Sequence, residues 1–344
     1  MATTTTTTTA DGGQLARTLT DVELLRELEP VAEAGLNQHL ATTKDWSPHD
    51  YVPWSDGANY AAAGGREWDV DDSGISDLAR VAMITNLLTE DNLPSYHRAI
   101  AESFTVDDAW GAWVNRWTVE ENRHGTALRD YLVVTRAVDP VELERARMLQ
   151  VTAGFSPGQQ GQGTVGPESM LDTLVYVTFQ ELATRVSHRN TGRACDEPIA
   201  DQLLKRVSAD ENLHMIFYRG VGAAALDLSP DRAIRAICRI LSSFQMPGFS
   251  IPNFRRNAVK IAVGGIYDLR QHLDEVIMPV LRYWRIFERD DFTGEGLRLR
   301  DELAVFIAYT EVEADRFDES KARYLERDAR KAQRLSARSS SQPV

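Results

Sequence analysis

Cysteine, basic charge and long apolar runs are all scarce in this sequence, and each shortage argues against a class of function. Cys195 and Cys238 are the two cysteines. They lie far apart, in no metal-binding or redox spacing, which argues against a disulfide framework and for a reducing, cytoplasmic setting. Both read as packing residues, since a free thiol behaves as a small hydrophobe. The formal net charge is -13 over 344 residues. Nucleic acid is therefore a poor candidate for the main partner, because phosphate binding needs a dominant basic surface. No apolar stretch approaches the roughly 18–20 residues needed to cross a bilayer. Period-two alternation is missing as well, so no strand announces itself.

What is present is helical periodicity and one polar constellation. Residues 1–17, with seven consecutive threonines after Met1-Ala2, are expected to be a disordered tail. The ordered body is expected over 18–328, followed by a basic, Ser-rich disordered tail over 329–344. Apolar residues at helical spacing predict one helix from Asp77 to Phe104. A second, started by Asp107, should bury Trp110, Trp113, Val114 and Trp117 and reach Thr135. A shorter helix should follow Pro140, and residues 153–167, rich in Gly, Gln, Ser and Pro, read as a loop. Helices opening at Pro167, Pro198 and Pro230 follow, then helical segments over 252–285 and 296–325. Helix alone at these lengths implies an all-α, four-helix up-and-down bundle with additional flanking helices.

Of the seven histidines, only His124 and His214 have a glutamate three residues earlier, Glu121 and Glu211. Residues three apart share a helix face, so each pair can chelate one ion. A single Glu-x-x-His is weak evidence. Here each copy is preceded by a further glutamate on the previous long helix: Glu90 lies 31 residues before Glu121, and Glu181 lies 30 before Glu211. The matched intervals imply two helical hairpins related by a pseudo-two-fold axis. Their inward faces would supply the ligand set of ferritin-like di-iron and di-manganese proteins. Four carboxylates balance two divalent cations, and oxygen with imidazole suits iron or manganese rather than structural zinc. Pro94 lacks the N–H that would bond the carbonyl of Glu90, so the helix should be distorted beside this ligand.

The residues around these ligands resemble the soluble acyl-acyl-carrier-protein desaturases, the stearoyl-carrier-protein type and its actinobacterial relatives. The likeness is carried by Leu87-Leu88-Thr89-Glu90 with Leu93-Pro94-Ser95-Tyr96, and by Glu120-Glu121-Asn122-Arg123-His124-Gly125. It continues in Thr178-Phe179-Gln180-Glu181-Leu182-Ala183-Thr184 and Asp210-Glu211-Asn212-Leu213-His214. Asp45-Trp46-Ser47-Pro48 and Met246-Pro247-Gly248 extend it, so that it covers about residues 20 to 290.

The resemblance implies two irons per chain, bridged by Glu121 and Glu211, with Glu90, Glu181, His124 and His214 as terminal ligands. It also implies a role in proton delivery for Thr184, whose alternative is a hydroxyl bonded to its own helix backbone. Asp210 would orient His124 or His214, and Trp46 would lie on an electron path from the surface. The implied reaction is O2-dependent desaturation of a fatty acyl thioester on acyl carrier protein, with a ferredoxin-like electron donor and a homodimeric enzyme. A di-iron hydroxylase or oxidase and a non-catalytic iron-binding protein are the alternatives. Leu128 stands where a radical-generating relative would carry tyrosine, which argues against that chemistry. Met83, Trp117, Thr118, Leu174 and Phe179 are candidates for an acyl channel. Arg255-Arg256 with Lys260, and Arg282 with Arg285, are candidates for carrier docking. The second ligand pair departs from the plant pattern, with Asn212-Leu213 where those enzymes carry more basic residues.

Overall fold

Polar residues placed just before apolar periodic runs start the helices. In the computed structural model, which describes residues 19–154, 169–244 and 253–339, Thr20 and Glu23 close a capping box on α1 (Asp21–Thr42). Ser76 caps α2 (Asp77–Glu90), and Asp139 with Pro140 opens α5 (Pro140–Ala153). Ser169 and Asp172 box the start of α6 (Met170–Cys195), and Glu197 accepts from two N–H groups at the start of α7 (Pro198–Leu228). Asp107 precedes α4 (Asp108–Val134), but its side chain makes no cap bond to the helix.

The expected helix from Asp77 to Phe104 is two helices. α2 stops at Glu90, Asp91 and Asn92 turn, and α3 (Leu93–Phe104) begins with Pro94 in its first turn. The missing N–H of Pro94 therefore sits where a helix start tolerates it, and the chain breaks rather than kinks. The remaining helices are α8 (Pro230–Ser243), α9 (Phe254–Val263), α10 (Leu269–Gln271), α11 (Met278–Tyr283) and α12 (Gly294–Ser339), with a π-helical turn (His272–Ile277) joining α10 to α11. α12 continues past Asp328, where a disordered tail is expected. Residues 321–333 are mostly strong helix formers, and pairs such as Glu326 with Arg330 (3.2 Å) bridge successive turns. The tail 1–17, nearly all of the expected loop 153–167, and Met246-Pro247-Gly248 lie outside the described residues.

Helices α2, α4, α7 and α6 touch in that cyclic order, which makes a four-helix bundle; α1 covers the seam between α4 and α7, and α9 lies on α2. The first half of helix α6 is buried all round, every residue from Met170 to Thr184 being covered. That is the pattern of a central helix. Two apolar clusters fill the bundle. One holds Trp113, Trp117, Phe179 and Tyr218; the other holds Met83, Leu87, Leu128 and Val207. On α4 and α7 the expected ligands fall between the two clusters, so a polar layer is sealed above and below by apolar packing. Cys195 is buried beside Met83, and Cys238 is partly buried; neither forms a disulfide.

Candidate metal centre

Each bundle helix brings its ligand to that layer. Glu90 is the last residue of α2, Glu121 and His124 share one face of α4, Glu181 lies mid-way along α6, and Glu211 with His214 share one face of α7. All six are buried. Their ligand atoms form two overlapping groups, Glu90-Glu121-His124-Glu211 and Glu121-Glu181-Glu211-His214. Glu121 and Glu211 belong to both groups, and each of the other four belongs to one. This is the connectivity of two ions joined by two carboxylates.

The unpaired atoms fit metal binding. Glu121 Oε1, His124 Nδ1, Glu181 Oε2, Glu211 Oε1 and His214 Nδ1 are buried without a hydrogen-bond partner among the described residues, although such atoms are normally satisfied. His214 Nδ1 lies 2.9 Å from Glu121 Oε1 and 3.4 Å from Glu181 Oε2. His124 Nδ1 lies 3.4 Å from Glu211 Oε1 and 3.7 Å from Glu121 Oε2. Atoms held at about 2.1 Å from one cation at right angles would lie about 3 Å apart.

The electrostatics lead to the same reading. Burial, then the charges of Glu121 and Glu211, push the carboxyls of Glu90 and Glu181 well above their ordinary range. Burial opposes charge on His124 and His214, yet the surrounding carboxylates raise both well above a free imidazole. A divalent cation in each group reverses this balance, favouring ionised carboxylates and neutral imidazoles.

Around the six lies a second set of side chains. Asp210 Oδ2 accepts from His124 Nε2 (3.3 Å), from Trp46 Nε1 (2.7 Å) and from Arg123 (2.9 Å), and Arg206 also binds this carboxylate. Burial works against the charge of Asp210, but these partners outweigh it and hold the group at about 2. Of the two histidines offered to Asp210 by the sequence, the structure selects His124. His214 is served instead by Glu120, whose Oε2 lies 2.8 Å from His214 Nε2 and 3.0 Å from His39 Nε2. Burial again opposes the charge, and the two imidazoles hold Glu120 well below its usual range. The sequence held a signal for this role: an acidic residue stands immediately before each Glu-x-x-His glutamate, and each serves the histidine of the opposite helix. Replacing Glu120 with Ala, or Asp210 with Asn, is expected to lower the affinity for one ion by about 10–100-fold. Competition with a chelator, using metal-loaded protein, measures this.

Thr184 Oγ1 lies 2.8 Å from Glu211 Oε2, and 3.0 and 3.2 Å from the carbonyls of Glu181 and Gln180. Both expected roles are therefore geometrically open to it. Trp46 stacks parallel to His124, with ring centroids 6.2 Å apart, and is 7% exposed.

A cavity of about 160 Å³ reaches the centre between α2, α6 and α9; Thr85, Asn86, Glu90, Thr184, His188 and Phe254 are among its walls. Met83, Trp117, Thr118, Leu174 and Phe179 are not part of it. Four of them pack in the apolar clusters, and Thr118 bonds His97 and its own helix. Of the expected docking residues, Lys260 is paired with Asp77 and Arg285 with Glu288. A groove missed by the sequence gathers Lys44, Arg185, Arg189, Arg193, Lys205 and Arg206. These come mainly from neighbouring turns of α6 and α7, so no run of basic residues marks them in the chain.

Residues 20–336 match a family model described as fatty acid desaturase. The chain is 64% identical over 319 residues to a Mycobacterium tuberculosis protein provisionally named as the acyl-acyl-carrier-protein desaturase DesA1, covering 93% of this chain and 94% of that one. It is 30% identical over 306 residues to the chloroplastic acyl-acyl-carrier-protein desaturase 6 of Oryza sativa subsp. japonica, covering 81% of this chain and 70% of that one. The X-ray structure of DesA2 from Mycobacterium tuberculosis H37Rv, also a provisionally named acyl-acyl-carrier-protein desaturase, superposes with a TM-score of 0.64 at 32% identity, over 80% of this chain and 98% of that one.

Proposed function

The chain belongs to the fatty acid desaturase family, and on that footing we propose that it desaturates a fatty acyl chain held on acyl carrier protein, using a carboxylate-bridged iron pair. The observation that carries the metal assignment is the pair of four-residue groups sharing Glu121 and Glu211. In this reading those two bridge the ions, Glu90 and Glu181 are terminal carboxylates, and His124 and His214 are terminal nitrogens. Ligands of oxygen and imidazole without thiolate suit iron. When bound, the iron pair supplies the oxygen chemistry that takes one hydrogen from each of two adjacent methylenes. In balance, O2, two electrons and two protons turn –CH2–CH2– into –CH=CH– and release two waters.

The residues of this chain have separate tasks. Thr184 holds a hydroxyl proton beside Glu211, where it can be passed toward the centre. Trp46, Asp210 and His124 form a continuous chain from near the surface to the ligand group, suited to single electrons. Arg206 joins Asp210 to the basic groove, a docking surface for an acidic, ferredoxin-like donor on an otherwise acidic protein. Arg255 and Arg256, exposed on α9 beyond the cavity, suit the acidic carrier. The cavity walls hold one carbon pair toward Glu90 and Thr184, so that position along the acyl chain, rather than intrinsic reactivity, selects the bond. No helix among the described residues is long and apolar enough to cross a membrane. A homodimer completes the proposal, and light scattering of the purified chain tests it.

The test of function is product mass. Iron-loaded protein, reduced ferredoxin and O2 should convert an acyl-carrier thioester to a product lighter by two hydrogens. A product heavier by one oxygen would replace the proposal with a hydroxylase. Bound iron with no turnover of acyl-carrier substrates of several lengths would leave an iron-binding protein.

A further inference from the structure

The pseudo-two-fold relation between the hairpins fails at the terminal carboxylates. Glu181 Oε1 accepts from Trp117 Nε1–H at 3.0 Å, and an indole can only donate. Glu90 Oε1 lies 2.9 Å from Nε2 of His188, a residue outside both ligand groups. His188 is 1% exposed, and its Nδ1 has no hydrogen-bond partner among the described residues. An ionised carboxylate only accepts, so His188 Nε2–H is the donor when Glu90 binds a cation. This leaves Glu90 Oε2 on the side of His124, 3.9 Å from its Nδ1.

The backbones differ too. Glu181 is held within an unbroken helix, whereas Glu90 ends α2 at the Asp91-Asn92 break. Glu90 and His188 also line the cavity, and Glu181 and Trp117 do not.

We infer that the two ions are held unequally, with His188 as the positioning residue that fixes Glu90 in the adaptable half and Trp117 locking Glu181 in the rigid half. With its backbone ending there, Glu90 has little else to choose which of its oxygens faces the ion. His188 supplies that choice through one hydrogen bond. The inference rests on the metal-centre reading above and concerns residues outside its ligand set.

Anaerobic titration of the metal-free full chain with Fe(II), together with Mössbauer spectra of the 57Fe-loaded forms, tests it. Wild type should bind two ions per chain and give two distinguishable doublets. His188→Phe should keep one ion at wild-type affinity and bind the other about 10–100-fold more weakly. His188→Gln, which retains an N–H donor, should recover most of that affinity and shift one doublet alone. Trp117→Phe should weaken a single ion and leave unchanged the doublet that His188→Gln moves. Indistinguishable doublets in wild type, an unchanged titration for His188→Phe, or equal weakening of both ions would overturn the inference. If His188→Phe does not fold, the His188→Gln spectrum decides: one shifted doublet supports the inference, and none or both refutes it. Failure of wild type to bind two ions would instead sink the metal-centre reading, so the two failures are separable.

Discussion

Replacing Glu121 with alanine is expected to empty both metal positions and bring desaturation below detection. Glu121 is in both ligand groups, whereas Glu181 is in one. Glu181→Ala should therefore lose one ion preferentially, and Glu121→Ala should lose both. Iron analysis after desalting, with product mass on the same samples, reads the difference. Wild-type iron content or sustained turnover in Glu121→Ala would end the bridged-pair reading. The effect should match that of Glu211→Ala, the other residue in both groups, and exceed that of any residue outside the six, because the acid beside Glu121 is not free to take its place. Glu120, the adjacent acid, is already committed to His214 and His39.

Replacing Trp113 with alanine is expected to cost about 3–5 kcal/mol of stability, as removal of large buried aromatic side chains does. Trp113 is 0% exposed. Its ring lies nearly parallel to Phe217, with centroids 3.6 Å apart, and meets Tyr218 edge-on at 5.5 Å. It also meets His39 at 5.2 Å and His214 at 6.1 Å. The cost should thus appear twice: in denaturant unfolding of the metal-free protein, and again as weaker metal binding, because His214 loses a wall. A change below about 1 kcal/mol would show that the cavity collapses around the missing ring.

The six-residue cluster was legible in the sequence because chelation on helices demands a spacing, and the spacing occurs twice. Glu121 with His124 and Glu211 with His214 are local pairs; Glu90 and Glu181 follow from the lengths of the hairpins that carry them. Asp210 was legible only to the extent that some histidine needed an acceptor. Which histidine it serves depends on how α4 and α7 face each other, and no local spacing encodes that. Glu120 went unassigned for the same reason, although it stands in the same position as Asp210 relative to its motif. His188 lies seven residues beyond Glu181, two turns along the same face of α6, but no glutamate at chelating distance singles it out.

Other features depended on competition between local and tertiary terms. Pro94 signalled trouble in the helix after Glu90, but a kink and a break satisfy the missing N–H equally well. Met83, Trp117, Thr118, Leu174 and Phe179 lie on the bundle helices that carry the cluster, whereas the cavity described above opens toward α9, and its walls include Thr85, Asn86, Thr89 and Ser187. The extension of α12 past Asp328 is a matter of composition: Ala, Arg, Lys, Gln and Leu over 329–335 are strong helix formers, and Arg330 reaches back one turn to Glu326, although the ending is basic and Ser-rich.

Helix α6 offers no solvent-facing residue between Met170 and Thr184. Along that stretch, Thr184 at the cavity wall excepted, a change of side-chain volume is met by packed atoms, and costs stability whether it enlarges or shrinks the residue. Under the proposed function, variation in which acyl chain is accepted is expected on the α2 and α9 walls, where Thr89 and Phe254 border the cavity, and at Thr184, Ser187 and His188 toward the later part of α6. The first half of the helix, which anchors the rigid half of the centre, is the part a lineage can least afford to edit.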